Sequence, residues 1–484
     1  MSEPRPGLAE VQRLLADAGT VPVFRERTLE RLTPVSAMQA LGLDSGSFLL
    51  ESVEGPERIA RWSLLGNAPV ATITARDDGT DPLADLEARV VCGSAAVDGL
   101  DAPFTGGAVG YLSYEAARRY ERLPRSPSDP LRLPDAWFAI HDTLVVFDHA
   151  LGRVLLVTNV HRDDVERDGA AQAYAAATAR LDHLDSRLDV AQFVDPREHG
   201  DIAIDARQYE QRSSIAREDF HAAVARCHEY ILAGDIFQVQ ISRRFALQLA
   251  GHPFELYRAL RAINPSPYMF YLATPDCTLV GASPEMLVRV TGRDVRYHPI
   301  AGTRRRGRTP EDDARLEHEL RSSEKEAAEH LMLVDLGRND VGRCCEVGSV
   351  RVTQLMDVER YSHVMHLVSS VEGTLSAGLT SVDALRVCFP AGTVTGAPKI
   401  RAMEIIAELE PETRGAYAGA AGYLGYGGNL DTAIALRTIV VRDGVAHAQA
   451  AGGIVADSTP HEEALEIDNK VSAMLHAIEE VNSR

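Results

Sequence analysis

The chain has 484 residues, 45% of them apolar and 25% charged, with a formal net charge of −20 at pH 7. That length and balance describe a globular protein of about two or three compact units with sequence enough for a full core. So acidic a chain lacks the basic face that phosphate neutralisation requires, which argues against nucleic acid as a partner. The first residues hold no basic stretch followed by an apolar run, and no segment is apolar for long enough to span a bilayer, so we expect no membrane association and a cytoplasmic location. Six cysteines (Cys92, Cys227, Cys277, Cys344, Cys345 and Cys388) form no C-x-x-C pair and read as buried reduced thiols.

In chain order, residues 1–160 read as short strands separated by turns. The clearest is a hairpin in which HALG (149–152) joins two β-branched runs. Residues 163–190 are alanine-rich and charged, predicting a surface helix. Residues 190–215 lack periodicity and contain Pro and Gly, as a connection between two regions would, and we place the boundary at 205/206. From 217 an amphipathic helix runs to Gly234 and a strand follows. The remaining half alternates helices and strands without a parallel-sheet cadence. Residues 415–455 read as a three-stranded meander with turns at 427–429 and at Asp443-Gly444. Together these predict an α+β fold with mostly antiparallel sheets.

Several residues in the second half suit chemistry. Only three of the 50 basic residues are lysines, Lys325, Lys399 and Lys470, and all lie in the last third. An ammonium is a compact point charge where a guanidinium is a planar fork, so these positions draw notice. Two E-x-x-E pairs, Glu326/Glu329 and Glu463/Glu466, fall in predicted helices, and residues three apart share a helix face. Each pair is either a solvated acidic face or half of an oxygen-rich site for a hard cation. In the second helix Leu465, Val471, Met474, Leu475 and Ile478 form the expected core stripe, and Lys470 stands one turn past Glu466. Arg437 alternates with Ala433, Ala435, Ile439 and Val441 along a predicted strand, so it needs either an internal acid or a bound anion. Tyr417, in the predicted strand before it, adds a hydroxyl. His366 is the best-placed group for proton transfer, with His363 as a competitor.

The segments GDIFQVQISRRF, NPSPYMFYL, GASPEML, PIAGTRRRGR, EHLMLVDLGRNDVGR, RYSHVMHLVSSVEG, AGTVTGAPKIRAMEII, AYAGAAGYLGY and AGGIVADSTPHEEALEIDNK follow one another in the order found in the chorismate-utilising enzymes. The chain resembles that family, in its branch of anthranilate synthase large subunits, densely over 217–475 and more thinly through FLLES and GGAVGYLSYE. The resemblance implies two packed, mostly antiparallel sheets flanked by helices, with an active site in the second half. It implies that Gly302, Thr303, Tyr417, Arg437 and the loop Ala451-Gly452-Gly453 bind chorismate; the loop reads AGG where other members have GAG. Glu329 and Glu466, supported by Glu326 and Glu463, would hold Mg²⁺, and His366 would assist proton transfer.

Sister enzymes that add water carry a lysine base where this chain has Gln238, and those that make aminodeoxychorismate carry a lysine at Ala301. Both absences point to ammonia addition followed by pyruvate loss, giving anthranilate for tryptophan biosynthesis. Ser52 with Pro267, Tyr268 and Met269 matches the positions at which feedback-inhibited members bind tryptophan. No glutaminase module is legible, so a separate glutamine amidotransferase subunit would supply ammonia in a hetero-oligomer. An aminodeoxychorismate or isochorismate synthase, and a non-catalytic tryptophan-binding regulator, are the alternatives.

Overall fold

The computed structural model describes residues 2–29, 32–53, 61–76, 79–191, 204–360 and 364–484, with the side chain of Lys325 excepted. His363, the role considered for the Lys325 ammonium, and much of the predicted connection at 190–215 lie outside the described residues.

The β-branched runs of the first 160 residues pair as predicted. Thr143–Asp148 and Arg153–His161 form the hairpin, with Asp148 opposite Arg153. They belong to an eleven-stranded sheet whose spatial order is Thr20–Thr28, Arg153–His161, Thr143–Asp148, Trp62–Gly66, Phe48–Glu51, Tyr268–Ala273, Thr278–Ser283, Thr438–Arg442, Val445–Ile454, Gln238–Gln248 and Gly396–Ala397. A ten-stranded sheet runs Ile300–Arg305, Val364–Thr374, Asp294–Tyr297, Met286–Thr291, Leu430–Ile434, Ala420–Gly425, Gly107–Leu112, Ala136–His141 and Ala71–Ala75, with Arg351–Arg360 also paired to Val364–Thr374. Both sheets draw strands from each side of residue 205, and their neighbouring strands pair antiparallel. The expected α+β architecture of two antiparallel sheets with flanking helices is the one observed.

The sheets are held face to face by a cluster in which Phe48, Leu64, Val146, Phe270 and Leu279 of the larger meet Tyr111, Trp137 and Tyr423 of the smaller. Each large side chain so buried is worth about 1.5–3 kcal/mol. Helices cover the outer faces. Ala170–Leu188 lies against Arg153–His161, and Pro460–Asn482 against Val445–Ile454.

One expectation fails instructively. Residues 415–455 are not a meander but two hairpins in different sheets. Ala420–Gly425 pairs with Leu430–Ile434 in the smaller sheet, and Thr438–Arg442 with Val445–Ile454 in the larger. The chain crosses between sheets at 435–437, where Arg437 takes φ +45° and its carbonyl accepts from the Ala282 N–H at 3.1 Å. Arg437 is therefore in a crossover and not within a strand. Tyr417 precedes its strand, in a turn over 415–418, while Ala451, Gly452 and Gly453 lie within Val445–Ile454 and not in a loop. In helix Pro460–Asn482, Val471, Met474, Leu475 and Ile478 are buried as predicted, but Leu465 is 48% exposed and outside the stripe.

Candidate active site

The predicted residues converge where the 435–437 crossover brings the two sheets together. Gly302 and Thr303 sit in Ile300–Arg305, whose register against Val364–Thr374 slips between Ala301 and Thr303 and sets Thr303 opposite His366. His366 is within the strand, not beyond it, and buried; its Nδ1 lies 2.9 Å from the exposed Thr303 hydroxyl and 3.3 Å from the Gly302 carbonyl. Burial, with the Arg437 charge nearby, pushes the imidazole down to about 4, so it is neutral at pH 7. Gly302 has φ +68°, and a Cβ there would come within 3.0 Å of Glu326 Oε2, so glycine answers both backbone and space.

No carboxylate forms an ion pair with Arg437 among the described residues. Its near polar neighbour is Asn264, whose Oδ1 is 3.5 Å from Nη1, the far limit of a hydrogen bond. Burial without a compensating acid holds the guanidinium below its usual range. Among the described residues, the internal salt bridge that could have explained this arginine is not found, leaving a cation suited to an anionic ligand. Tyr417 is buried beside the backbone of Ala451, and burial raises its hydroxyl well above the ordinary value, so it stays protonated and can donate.

The two acidic helices approach from the same side. Ser323 caps Glu324–Gly342 and Thr459 caps Pro460–Asn482, each accepting a first-turn N–H. Burial raises Glu329, and the like charges of Glu326 and Glu466 add to it, against the opposing effects of Gln238 and Lys470. Each carboxylate is engaged: Glu326 with Arg304 at 2.9 Å, Glu329 with Gln238 Nε2 at 3.2 Å, Glu463 with the Ser458 hydroxyl at 2.6 Å, and Glu466 with Lys470 at 2.6 Å. Among the described residues no three acidic, histidine or cysteine side chains form a ready metal cluster. The donors are nevertheless carboxylate oxygens, as a hard divalent cation takes, and the repulsion that raises Glu329 is what such a cation relieves.

Two lysines find definite work. Lys470 Nζ also donates to the Ala451 carbonyl at 2.9 Å, tying the acidic helix to the glycine strand. Lys399 pairs with Asp340 at 2.7 Å, pinning the start of its helix to Glu324–Gly342. A Cβ on Gly452 would lie 2.8 Å from Glu463 Oε2, and one on Gly453 2.8 Å from Gln240 Nε2.

Sequence reasoning missed Glu285. It is buried between the strands Thr278–Ser283 and Met286–Thr291, facing Thr393 and the Ile300 backbone, and burial pushes it up to about 8. A neutral carboxylic acid near the site is a proton donor. Only its burial, which the motif GASPEML does not announce, marks it out from the other acids.

Ser52, Pro267, Tyr268 and Met269 all line one cavity of about 230 Å³, apart from the residues above. Its walls include Leu50, Trp62, Tyr423 and the ion pair Arg289–Asp431 at 2.8 Å, with the Tyr268 hydroxyl 3.0 Å from Arg289 and 3.2 Å from Asp431. An apolar chamber with one polar, charged wall suits a small aromatic zwitterion.

This fold, with this constellation at the sheet junction, belongs to the chorismate binding enzymes: the family profile matches residues 46–476, and the chain is a member of that family. Among its relatives, anthranilate synthase component 1 of Streptomyces coelicolor is 48% identical over 98% of this chain and 92% of that protein. The Pseudomonas aeruginosa protein of the same name is 46% identical over 97% and 98%. The crystal structure of anthranilate synthase component I from Streptococcus pneumoniae superposes with a TM-score of 0.75 at 36% identity, covering 92% of this chain and 98% of that one. A menaquinone-specific isochorismate synthase from Escherichia coli shares the fold, with a TM-score of 0.69 at 18% identity. No described helix is long and apolar enough to cross a membrane.

Proposed function

We propose that the chain is an anthranilate synthase large subunit, converting chorismate and ammonia to anthranilate and pyruvate. The observation that carries this reading is Arg437: a largely desolvated guanidinium with no acid partner among the described residues, close enough to the neutral His366 imidazole to help push its pKa down. Chorismate has two carboxylates. Arg437 and the Tyr417 hydroxyl would take one, with Gly452 and Gly453 letting it approach the strand closely. Gly302 and Thr303 would border the ring. Glu329 and Glu466, aided by Glu326 and Glu463, would hold Mg²⁺, which when bound supplies positive charge to the other carboxylate.

Ammonia forms a bond to ring carbon 2 as the double bonds shift and the C4–O bond breaks. Glu285 delivers its proton to the departing hydroxyl, which leaves as water, and the carboxylate so formed takes the proton that the new ammonium nitrogen must lose. Loss of pyruvate then needs the C2 proton removed as the C3–O bond breaks, the released enol taking a proton on carbon to become pyruvate. A neutral imidazole is a base, and removing the C2 proton is the part we give to His366. Gln238 has no basic amine with which to activate water, which favours ammonia as nucleophile over the isochorismate reaction.

The cavity holding Ser52, Pro267, Tyr268 and Met269 is read as a tryptophan site for feedback inhibition. In this reading residues 206–484 carry the reaction, while 1–205 contribute one wall of that cavity. Ammonia in the cell would come from a glutamine amidotransferase subunit, and the protein would act in the cytoplasm. The direct test supplies the purified chain with chorismate, Mg²⁺ and either ammonium or glutamine. Anthranilate from ammonium, with glutamine inert until a partner is added, is the expected result. Turnover of glutamine by the chain alone would overturn the division of labour.

A further inference from the structure

The pair Glu410–Arg414 takes no part in the chemistry above, yet Arg414 is among the largest fully buried side chains in the molecule. The two side chains are 3% and 1% exposed. Arg414 Nε and Nη2 meet Glu410 bidentately at 2.9 and 2.7 Å. Its remaining donors reach backbone: Nη1 to the Val394 carbonyl and Nη2 to the Gln240 carbonyl, both at 2.7 Å. Glu410 Oε1 also accepts from the Ser242 N–H at 2.8 Å and the Ser242 hydroxyl at 2.9 Å, and Gln449 Nε2 donates to that hydroxyl at 2.8 Å. The guanidinium lies 5.9 Å from the Tyr417 ring centre and 4.7 Å from that of Tyr114, within cation–π range.

The reason for so costly a burial is visible in the edge of the larger sheet. Its last strand is only Gly396–Ala397, paired to Gln238 and Val239. Beyond it, the Gln240 N–H still finds the Thr395 carbonyl at 2.9 Å, but among the described residues no strand lies beside the Gln240 carbonyl and Ser242 N–H. Buried backbone groups must be paired. Arg414 and Glu410 take the places a longer edge strand would fill.

Resting on the assignment of Tyr417 and Gly453 to chorismate, we infer that Glu410–Arg414 is the positioning pair of the substrate site. It replaces a missing edge strand and ties together three segments at fixed spacing: Gln240, which pairs with Gly453, the turn at 392–394, and Tyr417. These residues touch no substrate. Their work is to set where the groups that do touch it stand.

The test is the double variant Glu410→Gln/Arg414→Met. The variant removes both charges together, which avoids leaving one buried charge unpaired. It also takes the donor from the Gln240 and Val394 carbonyls, so a native fold is the condition for reading its kinetics. With near-ultraviolet circular dichroism unchanged, KM for chorismate should rise about tenfold or more while kcat falls no more than about threefold, because binding groups and not reacting groups are displaced. A KM within about twofold of the parent in a natively folded variant overturns the inference. Should the double variant not fold, Arg414→Lys serves: one ammonium cannot span both carbonyls, so KM should rise about threefold or more, and an unaltered KM overturns it. If the parent itself makes no anthranilate, the functional reading fails separately. Amide exchange then decides: faster exchange at Ser242 in the variant supports the edge-strand role, and unchanged protection contradicts it.

Discussion

Glu285 carries the sharpest consequences of any single residue. Its carboxyl titrates near 4.5 in an unfolded chain and at about 8 in the folded protein. The folded state therefore holds the proton more tightly, and the stability this gives is complete below pH 4.5 and lost as pH rises through 8. Glu115, raised by burial to about 7, behaves likewise. Thermal denaturation from pH 6 to 9 should show stability falling with pH, with a shallower fall in Glu285→Gln that Glu115 still sustains. If Glu285 is the acid of the proposed reaction, kcat should also decline above about pH 8, and Glu285→Gln should cost about a hundredfold or more. For Glu329→Gln, Mg²⁺-dependent turnover should be lost while circular dichroism stays native; normal activity would remove it from the metal set. At Arg437, substitution by Lys keeps the charge and loses the fork, so KM for chorismate should rise about tenfold or more in steady-state assays.

Among the elements, those with strong local periodicity are legible in the sequence. The 149–152 hairpin, the helix from 217 and the two glutamate helices all form where the sequence pattern places them. The crossover at 435–437 was not legible. Alternation of small and apolar residues continues straight through it, because residues on either side still face the space between the sheets. Nothing local says that the chain exchanges one sheet for the other. That exchange matters, since it lifts Arg437 out of a strand and turns it toward His366. Leu465 fails for a similar reason: periodicity finds a helix, but burial depends on what the neighbouring element leaves uncovered. Ala451–Gly453 looked like a loop from its small residues, yet pairs in register with Ser242, Ile241 and Gln240, and small residues serve there to keep the strand's surface open. Gly453→Ala would set a methyl 2.8 Å from Gln240 Nε2, and substrate affinity should fall while folding persists.

At the scale of the whole molecule, the interleaving of strands from both halves explains how an effector could speak to the site. The cavity has one wall in Phe48–Glu51 and its continuation to Ser52, another in Tyr268–Ala273, and a third in Leu430–Ile434, the strand that leads directly into the crossover and Arg437. In the proposed reading, a ligand that wedges these walls would alter the spacing of the two sheets near Arg437. Tryptophan should therefore raise the melting temperature, by about 2.7 kcal/mol of stability at a hundred times its Kd, and Ser52→Phe, which intrudes on the cavity, should weaken both that shift and any inhibition. The measurement that bears most directly on the whole account is the product of the chain acting alone on chorismate with ammonium and Mg²⁺. Anthranilate and pyruvate in equal amounts, rising with ammonium concentration, is the predicted result. Isochorismate, aminodeoxychorismate requiring a further enzyme, or no product at any ammonium concentration would contradict it.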